Sequence, residues 1–173
     1  MAGNMKTEIT LRPIRRGDEV AVREMFIAFN RSAFGKYDRI DDTGEAHVAA
    51  FLENMAQNHV IYAVTPAGSD EMIGYVCFHI EGDRYDIGYM ISAQYQGAGI
   101  ATAASQMAME TLKAERGANV FTATAAAENR PSVRVLEKLG FRLVSETCSR
   151  KEENGAEYEI HERRYVKRLS DPV

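Results

Sequence analysis

Basic residues are not in excess in this chain. Lysine and arginine number 21 against 25 aspartates and glutamates, for a net charge of -4 and a pI of about 5.6. That balance argues against nucleic acid or an anionic membrane as a partner, because both call for a basic surface. No apolar stretch reaches the length of a membrane span, and Met1 to Thr10 lacks the apolar core of a signal peptide, so a cytoplasmic protein is expected. Cysteine is scarce. Cys77 and Cys148 are far apart, form no Cys-x-x-Cys, and fall in strand-like apolar runs. Buried free thiols are expected rather than a disulfide, and no metal site is expected. Internal repeats and low-complexity linkers are also absent. What remains is an ordinary globular composition, 45% hydrophobic and 27% charged over 173 residues, which suits a single domain spanning 1–173.

Periodicity predicts the elements. Thr7–Ile14 alternates as a strand. Gly17-Asp18-Glu19 opens a helix, with Asp18 as cap and Val20, Val22, Met25, Phe26 and Phe29 on its buried face. A polar loop from Arg31 to Asp42 carries Phe34 and Tyr37, and Thr43–Gln57 is a second helix. Strands follow at His59–Thr65, Met72–Ile80 and Tyr85–Ser92, the last two joined by the turn Glu81-Gly82-Asp83-Arg84. Gly97–Arg116 is a long helix, apolar at Ile100, Ala104, Met107, Ala108 and Leu112. Asn119–Ala125 is a strand, and Asn129–Leu139 a helix capped by Asn129 and ended by Gly140. Phe141–Cys148 and Glu157–Lys167 close as a strand pair around Asn154-Gly155. Strand-helix-strand crossovers occur only in the middle. The order therefore predicts an α/β (α+β) fold with a mixed, mostly antiparallel sheet of about seven strands and helices on both faces.

The most informative segment is Gln94-Tyr-Gln-Gly-Ala-Gly-Ile-Ala-Thr102. A glycine turn that opens a helix gathers free backbone N–H groups at the positive end of the helix dipole, which makes a phosphate site. What the segment lacks narrows the ligand. A dinucleotide fingerprint needs a third glycine, but position 102 is Thr. A P-loop needs a lysine after the glycines, and none follows Gly99. A plain strand-to-helix turn remains the alternative.

Downstream comes Asn129-Arg-Pro-Ser-Val-Arg-Val-Leu-Glu-Lys-Leu-Gly-Phe141. Together with Gln96-Gly97-Ala98-Gly99-Ile100-Ala101 and the strand Asp86-Ile-Gly-Tyr-Met-Ile91, it resembles the GNAT superfamily of acyl-CoA-dependent N-acyltransferases. The resemblance runs from about Tyr85 to Phe141, and the branch it looks like includes acetyltransferases of ribosomal-protein N-termini. It implies direct acetyl transfer from acetyl-CoA, as co-substrate, to a primary amine of a small molecule or a protein N-terminus. A homodimer is allowed for. The other reading is a non-catalytic sensor or scaffold that holds acyl-CoA on the same fold.

The resemblance assigns the diphosphate to the backbone of Gln96, Gly97, Ala98, Gly99, Ile100 and Ala101. A backbone N–H near Met90 or Ile91 would polarise the thioester carbonyl, while their side chains are plain core. Asn129 and Ser132 would flank the pantetheine arm. Asp86 stands where many relatives place a carboxylate and is the candidate base, with a structural role as its alternative. Tyr89, His79, His47 and His161 are lesser candidates, each more simply packed or hydrogen-bonded. Many members carry a Tyr where this chain has Leu136, which cannot donate a proton. Ser132 is the replacement acid, with helix capping or a pantetheine contact as the alternative. Phe29, Phe34 and Tyr37 with Asp38, Asp41, Asp42 and Glu45 could line an amine slot, or the aromatics could pack and the acids be solvated. The basic stretch at Arg163, Arg164, Lys167 and Arg168 reads as a solvated face.

Overall fold

The structure is a computed structural model that describes residues 8–169. The expected start of the first strand at Thr7 and most of the stretch Met1 to Thr10 lie outside those residues. The elements are β1 (Ile9–Pro13), α1 (Asp18–Arg31), α2 (Glu45–Asn58), β2 (Val60–Pro66), β3 (Gly74–Glu81), β4 (Arg84–Ile91), α3 (Ile100–Arg116), β5 (Val120–Ala126), α4 (Arg130–Lys138), β6 (Arg142–Glu153) and β7 (Ala156–Arg168). The strands form one sheet of 7 in the order β1-β2-β3-β4-β5-β7-β6. Every neighbouring pair is antiparallel except β4–β5, which is parallel. This is the mixed, mostly antiparallel sheet that the element order predicts.

Alternation along the strands feeds two cores. Val76, Phe78, Ile87, Ile91 and Phe121 face α3 and α4, meeting Ile100, Ala104, Ala108, Leu112 and Leu136. Tyr75 and Cys77 face α1 and α2, meeting Val22, Met25, Phe26, Val48, Leu52 and Met55. Helices therefore cover both faces, as expected. β3 and β4 approach closely at Gly74, where a Cβ would lie 2.7 Å from the Met90 carbonyl oxygen.

Four local expectations are corrected. Helix α3 begins at Ile100 rather than Gly97, because Gly97 and Gly99 hold φ of 80° and 77°, outside the helical region. Val20 is 62% exposed. Val22, Met25 and Phe26 follow helical spacing, and Val20 sits on the other side of the cylinder. Cys148 is exposed, because β6 is the edge strand and only β7 pairs with it; Cys77 is buried, and both are free thiols. Finally, Gly17 caps α1, and Asp18 is the first helical residue.

Asp18 is buried, and it ties α1 to β1. Arg12 of β1 donates two hydrogen bonds of 2.8 Å to its carboxylate, and the Arg15 N–H adds a third at 2.8 Å. Burial pushes the Asp18 carboxyl up, but the Arg12 bonds, the Arg15 amide and the two guanidinium charges outweigh it and hold it below its usual 3.8. A depressed carboxylate contributes stability above its unfolded pKa, and that stability is lost as pH falls through the lower folded value. Asp18→Asn is expected to cost roughly 3 kcal/mol, because it leaves Arg12 without its charge partner. Urea unfolding at neutral pH checks this, and the gap between wild type and variant should shrink below pH 3.8.

Candidate active site

The parallel pairing of β4 and β5 is brief. It spans Arg84–Val120, Tyr85–Phe121 and Asp86–Thr122 and then stops. β4 continues to Ile91 alongside β3, and β5 continues to Ala126 alongside β7. The two strands diverge, and a cleft opens between them with Asp86 and Thr122 at its vertex. The register decides which groups face it. Ser92 N–H donates to the Ile73 carbonyl at 2.8 Å. Pairing alternates along an antiparallel ladder, so the Met90 and Gly88 backbone groups also turn to β3. Those of Ile87, Tyr89 and Ile91 turn to the cleft. The Ile91 carbonyl is already taken by the Gln96 side-chain amide at 2.8 Å.

The glycine turn lies beyond the end of β4. An ideal Cβ at Gly97 or at Gly99 would meet nothing within 4 Å, so open space lies above both. Gly99 caps α3 with no side-chain hydrogen bond, and the first helical bond runs from Ala103 N–H to the Gly99 carbonyl at 3.1 Å. The N–H groups of Ile100, Ala101 and Thr102 therefore have no acceptor within the helix. Ile100 is buried and anchors this end of α3 to the core, while Ala98 is exposed and Ala101 half-buried. A fixed helix end, free donors, small residues and open space are what a diphosphate requires.

The first turn of α4 forms the other wall. Asn129 caps it as expected, accepting from Ser132 N–H at 3.3 Å, and Pro131 sits in the first turn. Tyr89 crosses from β4 to meet it. Its hydroxyl lies 3.0 Å from the Ser132 carbonyl oxygen and 3.0 Å from Ser132 Oγ. The carbonyl can only accept, so the one phenol proton goes there and the Ser132 hydroxyl donates to the phenol oxygen. Burial pushes the Tyr89 phenol up to about 12, with the bond from Ser132 pulling it back. Tyr89 is thus a protonated donor at neutral pH, in contact with the residue the sequence singles out. Leu136, one helical turn beyond Ser132, is buried in the core.

Asp86 is on the opposite face of the sheet. It shares the parity of Met90, which packs against the α1–α2 core. It is half-buried, and Thr122 donates to it at 2.8 Å. His79 is its cross-strand neighbour on β3, and the His59 ring stands 4.9 Å from that of His79. His47 is exposed, 3.8 Å from Asp42. His161 is held by Glu128 at 2.7 Å. Asp86 and Ser132, read together from the sequence, are therefore not neighbours; Asp86 joins Thr122, and Ser132 joins Tyr89.

At the amine slot the acids Asp38, Asp41, Asp42 and Glu45 are exposed, which matches the solvated alternative. Tyr37 meets Tyr158 edge-on at 6.2 Å, and the Tyr158 hydroxyl donates to the Lys36 carbonyl at 3.0 Å. The tip of the β6–β7 hairpin thus closes onto the α1–α2 loop. Sequence reading missed Tyr158 because nothing local to it signals so distant a partner.

The acetyltransferase (GNAT) domain family matches residues 8–142. The chain belongs to this family. GNAT acetyltransferases use acetyl-CoA as co-substrate. The uncharacterized N-acetyltransferase YnaD of Bacillus subtilis is 32% identical over 101 residues, which are 57% of this chain and 59% of that protein. The match therefore spans well under two thirds of that relative. A GNAT-family acetyltransferase from Bacillus anthracis superimposes with a TM-score of 0.75 at 26% identity, covering 93% of this chain and 95% of the other. The ribosomal-protein-S5-alanine acetyltransferase of Vibrio fischeri shares the fold, with a TM-score of 0.72 at 20% identity over 95% and 94% of the two chains. A ribosomal-protein acetyltransferase is thus among the structural neighbours of this GNAT chain.

The cap at α4 sets the position of Ser132. Asn129→Ala should lower stability by about 1 kcal/mol, the usual cost of a lost side-chain cap. Urea denaturation measures this, and a variant as stable as wild type would show that the cap does not hold the first turn.

Proposed function

We propose that this GNAT protein transfers the acetyl group of acetyl-CoA to a primary amine, directly and within one ternary complex. The acceptor is a small molecule or a protein N-terminus. The observation that carries this reading is the cleft. The β4–β5 pairing ends at Asp86–Thr122, the glycine turn stands at one end of the gap, and Tyr89 and Ser132 line it.

In this reading the backbone from Gln96 to Ala101 holds the diphosphate. The pantetheine arm lies along the open side of β4 as an added strand, meeting the cleft-facing groups of Tyr89 and Ile91. One of those amides polarises the thioester carbonyl. Asn129 and Ser132 border the arm. Asp86 takes the amine proton, directly or through a water. The amine nitrogen bonds to the carbonyl carbon, and the carbon–sulfur bond breaks. The Tyr89 hydroxyl turns its proton from the Ser132 carbonyl to the thiolate, while the Ser132 hydroxyl donates to the phenol oxygen. Asp86 and Tyr89 face opposite sides of the sheet, so the amine and the cofactor meet through the gap. This phenol supplies what Leu136 cannot, which favours turnover over a silent acyl-CoA sensor. Both cysteines are free thiols, which fits a reducing cytoplasm.

A thiol-release screen of acetyl-CoA against amines and N-terminal peptides tests the activity. Consumption with at least one acceptor is expected, and binding without turnover across the panel would favour the sensor. Tyr89→Phe should lower kcat by about 100-fold with KM for acetyl-CoA little changed, as expected for a lost general acid. Undiminished kcat would remove Tyr89 from that role. Gly99→Val forces a β-branched residue to positive φ and fills the space above the turn. It should weaken acetyl-CoA binding by about 10-fold or more by calorimetry. Unchanged affinity would move the diphosphate elsewhere.

A further inference from the structure

The β6–β7 hairpin carries a ligand set that acyl transfer does not use. Cys148 on β6 and His161 on β7 are directly paired. Glu159, two residues before His161, shares their face. One ligand atom from each of the three lies within 4.8 Å of the others. Cys148 is an exposed free thiol. The imidazole is already fixed. Its Nδ1 is 2.7 Å from Glu128 Oε1, and the His161 backbone N–H donates to the same carboxylate at 3.2 and 3.3 Å. The His161 carbonyl in turn accepts from Ala127 N–H at 2.7 Å. A carboxylate on one ring nitrogen leaves the other as a donor and holds the ring in place. Metal-binding histidines are oriented in this way.

We propose that Cys148, His161 and Glu159 form a zinc(II)-binding site, with Glu128 as the positioning residue. The mixed sulfur, nitrogen and oxygen donors suit a borderline-soft, tetrahedral ion, with water in the fourth position. Tetrahedral bond lengths put neighbouring donors about 3.5 Å apart, so rotation of exposed side chains closes the set. Binding releases the Cys148 thiol proton and frees Glu159 from Arg150, an exposed contact of 3.5 Å. The ion would clip β6 to β7 within the hairpin, which the His161–Glu128 contact already ties to the turn that precedes α4.

Untagged full-length protein titrated with cobalt(II) tests the site. A thiolate-to-metal charge-transfer absorption should appear and vanish on adding zinc(II). Zinc should slow the reaction of Cys148 with a thiol reagent by at least about 10-fold, while Cys77 stays slow throughout because it is buried. Cys148→Ser, at an exposed position, should abolish the absorption with an unchanged melting temperature in the absence of metal. Glu128→Gln should keep the absorption but weaken zinc binding by about 10- to 100-fold. No charge-transfer absorption in wild type, or equal zinc affinity in wild type and Cys148→Ser, would overturn the proposal.

Discussion

Three residue pairs of parallel ladder, and the fact that there are only three, organise this molecule. Parallel strands need a crossover, and α3 supplies it between β4 and β5. Had the ladder continued, the backbone of Ile87 to Ile91 would be spent within the sheet. Because it stops, the cleft-facing groups of that stretch are left to something else. β4 is held on its other side by β3 along its whole length, and β5 by β7, so each strand keeps a partner where the two diverge. The helix that makes the crossover also begins where the gap opens, and its first turn, with no side-chain cap bond, lies at the mouth. One topological event thus produces both the cleft and the helix end beside it, with its free N–H groups.

The parts of this arrangement that were legible in the sequence are those with local chemistry. Gly97 and Gly99 announce a turn, and Asn129 with Pro131 announces a helix start; each depends on neighbours a few residues away. The sheet could also be read, because hairpins and one crossover leave few topologies open. The contacts that decide the site were not legible. Tyr89 and Ser132 lie 43 positions apart, and their meeting depends on how far two strands diverge. Asp18 looks like a cap until Arg12, one strand earlier, claims its carboxylate. Cys148 is expected to be buried, yet Glu146, Thr147, Ser149 and Arg150 flank it and its strand is the last in the sheet. Its pairing with His161 is a matter of hairpin register, which the turn at Asn154-Gly155 determines only once the strands are built.

The two cores divide the labour. The larger, under α3 and α4, fixes the helix ends that border the cleft, and Leu136 belongs to it as packing. The smaller, under α1 and α2, carries the loop that meets Tyr158. The two cores meet in the sheet between them, where Tyr75 and Cys77 of β3 face one and Val76 and Phe78 the other.

The exposed strand β6 has a consequence of another kind. Among the described residues only β7 pairs with its 12 residues, and an open outer edge invites a second chain to add itself to the sheet. The two apolar residues exposed there, Leu143 and Val144, are where such an addition would gain most. The ladder to β7 is broken by a register shift between Leu143 and Ser145. An irregular, twisted edge offers a poor template at its stickiest point. Beyond it, Glu146, Arg150, Lys151, Glu152 and Glu153 would have to be desolvated or matched. The same hairpin that reaches toward the α1–α2 loop thus carries, on its outer edge, features that disfavour the addition of another strand.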